Sequence, residues 1–438
     1  MNDPARALAV LPEDTRGLVV AFSGGHDSSA LLQALAEAAH PVPLRAVHVC
    51  HQIETEADSW AAHCERVCAA RGIQLRRIDV EVDTRGKGLE AAARVARYRA
   101  LAEQIEAGEV LVCAHHAEDQ AETFLLQALR GSGVAGLAGM PSLSPCGAGR
   151  LWRPWLKIER AAITRLARAR GLDWIEDATN LDPRRARGFV REHVWPALSQ
   201  GWPAAAQTLS RSAAWAADAA AAVDTLAGID LHRVRAVDDS LRLAELAVLT
   251  EARAAEVLRR WLREGGHDVP DHRHIEQIRR ISQAREHSGP RVGFVDTEVR
   301  RFDARLFAMS RLAVPPMPGQ TLAWSAPDGL SLPSGCGRLR LAGRAPADWP
   351  NDLTVCFRAG GEKLARANGS RQALAEWLRA ARVPPWVRER LPLIYAGRVL
   401  IAIPGLWGHP ALADWFRGER PDFIWEHGLV GAPIGAME

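Results

Sequence analysis

A chain of 438 residues, 47% hydrophobic and 24% charged, is long for a single core and ordinary in composition for a globular protein, so two or three domains are expected. The net charge of +3 excludes a global polycationic signature and leaves any nucleic-acid contact to local patches. Seven scattered cysteines with no C-x-x-C pair argue against a disulfide framework or a thiolate metal set, and the lack of a leader-like or 18-residue apolar run predicts a soluble, cytoplasmic protein. The first 180 residues alternate. Strand-like runs are expected at 17–23, 44–50, 74–80 and 110–114, and helix-like runs at 28–39, 55–71, 88–107 and 117–130. This alternation predicts an α/β fold: a parallel sheet with helices on both faces, binding ligands beyond the carboxyl ends of its strands. Polar groups stand at three such ends, in SGGHDS (23–28), in His48-Val49-Cys50-His51 and in Ala114-His115-His116. Around 200–217 the sequence becomes Ala-rich and Trp-dotted. The expected division is a first domain over 1–217, a mostly helical domain over 218–312, a Pro- and Gly-rich linker over 313–335, and a small α+β domain over 336–438.

The turn between the first strand and helix carries the strongest chemical signal. No G-x-x-x-x-G-K-[ST] loop occurs, so SGGHDS is not a Walker motif. A helix N-terminus offers unpaired N–H groups to an anion. Gly24 and Gly25 let the backbone approach a ligand, and Ser23 and Ser28 add hydroxyl donors. Further on, Asp119 and Glu122 lie three apart and share a helix face. Two carboxylates so placed can bind a cation or act as a base, and by themselves they equally describe a solvated acidic face. His115 with this pair lacks a further ligand for zinc. Glu90, Arg94, Arg97 and Tyr98 recur at helical spacing, as an ion-paired helix or a phosphate-facing one would. Arg184, Arg185, Arg187 and Arg191 lie in an acid-free stretch suited to phosphate contacts.

In order and spacing, SGGHDS, VHVCHQI, GLEAAARVARYRAL, AHHAEDQAETFLLQALRGSGVAGLAGM, RPWLKIERAAI and DWIEDATNLDPRRARGFVREHVWPAL resemble the tRNA(Ile)-lysidine synthetase family, within the PP-loop ATP pyrophosphatase superfamily. Near the end, ARVPPWVRERLPLIYAGRVLIAIPGLW resembles its C-terminal domain. The glycine turn alone resembles only the superfamily; the stretch 114–140 is specific to the family. The resemblance implies a PP-loop catalytic domain followed by two tRNA-binding domains. It implies a two-step ligation, in which ATP adenylates the C2 oxygen of the wobble cytidine of a CAU-anticodon isoleucine tRNA and releases pyrophosphate. The ε-amine of L-lysine then displaces AMP. ATP would sit on Ser23, Gly24, Gly25, His26, Asp27 and Ser28, with Mg²⁺ on Asp27. Asp119 and Glu122 would take lysine, and Asp27, Arg97 and His115 would complete the catalytic set. The partners implied are the tRNA and L-lysine, with no membrane; a homodimer is left open. The chain departs from the family pattern at Cys50, in Arg187-Gly188-Phe189-Val190-Arg191, and at Ala375 and Glu376. The rival readings are a 2-thiocytidine synthetase of the same superfamily, which needs a persulfide cysteine or an iron–sulfur cluster, a small-molecule ligase that amidates after adenylation, and a non-enzymatic RNA-binding protein.

Overall fold

The computed structural model describes residues 2–50, 57–81, 89–176, 186–284, 289–325, 327–342, 349–350 and 352–429, without the side chains of 57 and 89–91. His51, Arg184 and Arg185 therefore lie outside the described residues, as does the Glu90 side chain. The chain divides into two compact units, 1–222 and 223–438. Among the described residues no helix is long and apolar enough to cross a membrane.

The first unit begins with β1 (Gly17–Ala21), α1 (His26–Ala38), β2 (Leu44–Cys50), α2 (Ala57–Ala69) and β3 (Gln74–Asp79). It continues with α3 (Leu89–Ala102), β4 (Glu109–Val112), α4 (Ala117–Leu129), the short α5 (Val134–Leu137), β5 (Leu143–Cys146), β6 (Gly149–Trp152) and α6 (Arg160–Ala169). The sheet order is β3-β2-β1-β4-β6-β5, parallel throughout except for the β5–β6 pair. β1 is central, with Val19 registered against Arg45 on one side and Leu111 on the other. Its run Leu18-Val19-Val20 is buried on both faces, which is why it reads as continuous apolar sequence. Alternation sends Leu18 and Val20 into a core with Leu31, Leu35, Trp155 and Ile163, and sends Val19 into another with Leu101, Leu111 and Leu151. The β5–β6 hairpin is absent from the sequence expectation.

The expected strands and helices of this unit form, with ends shifted by a few residues. α1 starts at His26, earlier than the apolar spacing suggests, with Gly25 as its N-cap. After α6 come α7 (Ala186–Phe189), a π-helical turn (Val190–Val194), α8 (Trp195–Gly201) and the 30-residue α9 (Ala205–Val234).

In the second unit, helices Glu251–Glu264 and His272–Ser282 pack Leu258, Trp261 and Ile275 against Val299 and Leu306. Those last two belong to an antiparallel sheet built from Arg291–Phe294, Thr297–Phe302, Arg305–Ser310 and Leu241–Arg242. The helices were expected and the sheet was not. The stretch expected as a linker supplies Thr321–Ala323 and Leu330–Ser331, which pair with Leu353–Phe357 and Arg338–Ala342. The expected α+β domain contains the helix Leu374–Ala380 and a five-stranded sheet.

Candidate active site

The glycine turn lies at the carboxyl end of β1, between strand and helix. Gly24 adopts φ +77°, and a Cβ there would meet Cys64 Sγ and Ile175 Cδ1, each at 2.8 Å. No other residue type fits both constraints. Gly25 has an ordinary φ of −77° and a Cβ there would make only ordinary contacts, the nearest with Ser23 Oγ at 3.5 Å, so the turn needs one glycine for its shape, not two. Ile175 N–H donates to Gly24 C=O (2.9 Å) and clips the turn from outside. Ser23 and Ser28 hydroxyls lie 3.0 Å apart, and Ser28 Oγ donates to Gly25 C=O at 3.0 Å. The first-turn amides of His26, Asp27 and Ser28 have no intrahelical acceptor, and Asp27 sits at the positive end of α1.

Asp27 is tied to the neighbouring strand end through His116. The His116 ring Nε2 lies 3.6 Å from Asp27 Oδ2 and 3.4 Å from Asp119 Oδ2, while Nδ1 lies 3.0 Å from Glu118 Oε2. His116 is the N-cap of α4, and Asp119, at the third helical position, accepts the His116 backbone N–H at 3.1 Å. The cap geometry folds the imidazole back into three carboxylates. Burial opposes its charge, but Asp119, Asp27 and Glu118 outweigh burial and raise its pKa to about 10, so it is an imidazolium at neutral pH. Reciprocally, burial pushes Asp27 up, yet His116, His26 and Arg160 hold it far below the usual carboxylate range. His26 Nδ1 meets Asp27 Oδ1 at 2.7 Å, and its ring stands edge-on to Trp174. Glu118 also accepts the Arg160 N–H at 3.0 Å, placing its charge on the N-terminus of α6.

Asp119 and Glu122 do share a face, and one guanidinium spans them. Arg191 Nε donates to Glu122 Oε1 (2.7 Å), and its Nη2 donates to Glu122 Oε2 (3.0 Å) and Asp119 Oδ1 (2.9 Å). Both carboxylates are buried, at 8% and 3% exposed. Their environments differ. Burial raises Asp119, but His116, His115 and Arg191 overcome it and leave it lowered; burial of Glu122 exceeds the help from Arg191 and leaves it raised. Arg187 donates to Thr123 Oγ1 at 2.7 Å. Arg187 and Arg191, expected from sequence to face phosphate, thus face α4 instead.

His115 is neutral, with burial pulling its pKa down to about 4 against the pull of Asp119. Its Nδ1 has no hydrogen-bond partner among the described residues. Buried Arg153, at the end of β6, adds to that depression and donates to Pro141 C=O at 2.9 Å. Arg97 stands on α3 with its charge felt by His48 and Cys113. Sequence reasoning put His116 at a strand end without a role, and missed Glu118, Arg153 and Arg160. The capping-box spacing His116-x-x-Asp119 was the available signal for His116.

Four carboxylates, Asp27, Glu118, Asp119 and Glu122, thus face the cations His116, Arg160 and Arg191 beside a turn that offers donors to an anion. Such an arrangement can hold a polyphosphate on one side and an ammonium on the other. Among the described residues no three His, Cys, Asp or Glu side chains form a metal cage.

Residues 3–198 match the PP-loop domain family, 241–307 the TilS substrate binding domain and 353–422 the TilS substrate C-terminal domain. A tRNA(Ile)-lysidine synthase of Alkalilimnicola ehrlichii is 40% identical over 92% of this chain and 92% of its own. One of Xanthomonas campestris pv. campestris is 38% identical over 93% and 94%. Among solved structures, the U34-tRNA thiolase NcsA of Methanococcus maripaludis superposes with a TM-score of 0.40 at 19% identity, over 48% of this chain and 76% of that one.

Proposed function

The chain belongs to the tRNA(Ile)-lysidine synthase family, and from that premise we propose that it joins L-lysine to C2 of the wobble cytidine of a CAU-anticodon isoleucine tRNA at the cost of ATP. The carrying observation is that His116 bridges Asp27 of the glycine turn and Asp119 of the acidic pair, at 3.6 and 3.4 Å. A site for polyphosphate and a site for an ammonium therefore adjoin, as a two-step transfer through an adenylated base requires.

In the first step the amides and hydroxyls at 23–28 hold the leaving pyrophosphate, and His116 and Arg160 add positive charge beside it. The base oxygen attacks the α-phosphate, and pyrophosphate departs. Asp27 remains ionised and suits Mg²⁺, which binds through one or two carboxylates plus substrate phosphates rather than a protein cage; the ion would neutralise phosphate charge. In the second step lysine, with an ammonium pKa of about 10.4, must lose a proton before its nitrogen attacks C2 and AMP leaves. The unlike environments of the two carboxylates divide the work: ionised Asp119 holds the ammonium, and Glu122, made more basic by burial, takes the proton. Neutral His115 offers a hydrogen bond to the reacting base, and Arg97 faces its phosphate. Within this reading 1–217 is the catalytic domain, and 218–312 and 336–438, the latter extended by the strands of 313–335, bind the tRNA.

A 2-thiocytidine synthetase needs a reactive thiol. Burial pushes Cys64 and Cys113 up to about 12 and Cys68 to about 11, which opposes thiolate chemistry there. The test is incubation with ATP, Mg²⁺, labelled L-lysine and unmodified CAU-anticodon isoleucine tRNA, followed by nucleoside mass spectrometry. Labelled lysidine is expected; pyrophosphate release without lysine incorporation would reject the nucleophile.

A further inference from the structure

Arg191 is distant in sequence from the carboxylates it binds, yet it satisfies three of their oxygens at 2.7–3.0 Å. Asp119 uses its remaining oxygen, Oδ2, to cap the His116 backbone N–H. The Glu122 side chain is 4% exposed and that of Asp119 is 11%, whereas that of Arg191 is 29% exposed. Arg191 occupies three of the four carboxylate oxygens, so a second cation that binds the pair must take its place.

Two features make Arg191 removable. It stands on a π-helical turn, Val190–Val194, between α7 and α8. Such turns hold one residue more than an α-turn and recur at functional sites. Conversion to α-helix would rotate the residues on one side of the turn by roughly 100° relative to the other. Arg187, one turn earlier, independently fastens α7 to α4 through Thr123, which itself donates to Asp119 C=O. The helix therefore stays attached when Arg191 lets go. Arg191 also stands near enough to Asp27 to feel its charge.

We infer that Arg191 is the resident counter-ion of the Asp119–Glu122 pair, and that the substrate ammonium enters by exchange with it. This rests on the assignment of the pair to lysine under the proposed function. Exchange gives Arg191 a role in specificity. The pair is never left uncompensated in the buried site, and only a ligand that brings its own cation into both carboxylates can replace the arginine. A neutral side chain of similar length has no such claim.

The test is the affinity of the full-length protein for L-lysine by calorimetry, in wild type and Arg191→Gln. A competitor that occupies the pair most of the time weakens apparent affinity by the fraction of time the pair is open, so its removal is expected to tighten lysine binding by roughly 3- to 10-fold. A merely structural arginine would loosen binding when removed. Because Arg191→Gln leaves buried carboxylates without their cation and can fail to fold, a second measurement uses the unaltered protein. Phenylglyoxal modification of Arg191, followed by peptide mass spectrometry, is expected to accelerate when saturating L-lysine is present. Weaker or unchanged lysine affinity in a folded Arg191→Gln protein, or slower or unchanged labelling of Arg191 with lysine, overturns the inference. A wild-type protein that binds no lysine and forms no lysidine rejects the functional reading instead.

Discussion

Replacing His116 with asparagine isolates the imidazolium at the centre of the site. Asparagine is a good N-cap, so the start of α4 is preserved while the charge is removed. Asp27, Glu118 and Asp119, at 3.6, 3.0 and 3.4 Å from the ring, then lose their shared cation. The rise of the His116 pKa from 6.5 to about 10 sets the scale. At about 1.4 kcal/mol per pH unit, it corresponds to a ceiling of about 5 kcal/mol. Protonation of the carboxylates and entry of water will relieve part of this, so a loss of about 2–4 kcal/mol is expected near neutral pH. The sign follows from linkage: a raised pKa contributes stability that is complete below pH 6.5 and disappears as pH climbs through about 10. Urea unfolding of both proteins at pH 6.5, 8 and 9.5 should show a gap in midpoint that is largest at pH 6.5 and narrows steadily. A gap independent of pH, or none at pH 6.5, would refute the charged state of His116.

Gly24→Ala should destabilise the first unit by about 2–4 kcal/mol and weaken ATP binding, because it combines a left-handed backbone with collisions against Cys64 and Ile175; Gly25→Ala should cost less than about 1 kcal/mol, both read by urea midpoint and nucleotide titration. Glu118→Gln removes the negative charge shared by His116 and the N-terminus of α6, and is expected to cost about 1–2 kcal/mol at pH 7 and to lower the His116 pKa, followed by ¹⁵N imidazole shifts. Iodoacetamide at pH 8 should leave Cys64, Cys68 and Cys113 unmodified in the native protein and label them in urea, as peptide mapping would reveal.

The parallel sheet was legible because β1 and β2 carry near-continuous apolar runs punctuated by turn residues, and the helices between them keep their period. The shared face of Asp119 and Glu122 was legible for the same reason, since spacing on a helix is local information. The choice between His115 and His116 was not. Adjacent residues at a helix start point in different directions, and only the capping contact of Asp119 turns His116 toward Asp27. Arg191 read as a phosphate ligand because its stretch holds no acid; its partners come from α4, and no local pattern announces them. Both glycines of the turn read alike, whereas packing by Cys64 and Ile175 makes demands only on Gly24. The strands at 291–310 escaped notice because only the short Arg291–Phe294 alternates cleanly: Thr297, Glu298 and Val299 are buried in succession, as are Leu306 and Phe307.

The central claim is that the glycine turn performs the nucleotide step and the acidic pair the lysine step within one site. The direct measurement is a two-stage reaction with wild type, Asp27→Asn and Glu122→Gln: ATP, Mg²⁺ and the CAU-anticodon tRNA first, with pyrophosphate and RNA-bound AMP quantified, then an L-lysine chase with lysidine quantified. The account predicts that Asp27→Asn releases little pyrophosphate, and that Glu122→Gln accumulates adenylated RNA which lysine fails to discharge. Full pyrophosphate release by Asp27→Asn, or unimpaired lysidine formation by Glu122→Gln, would contradict it.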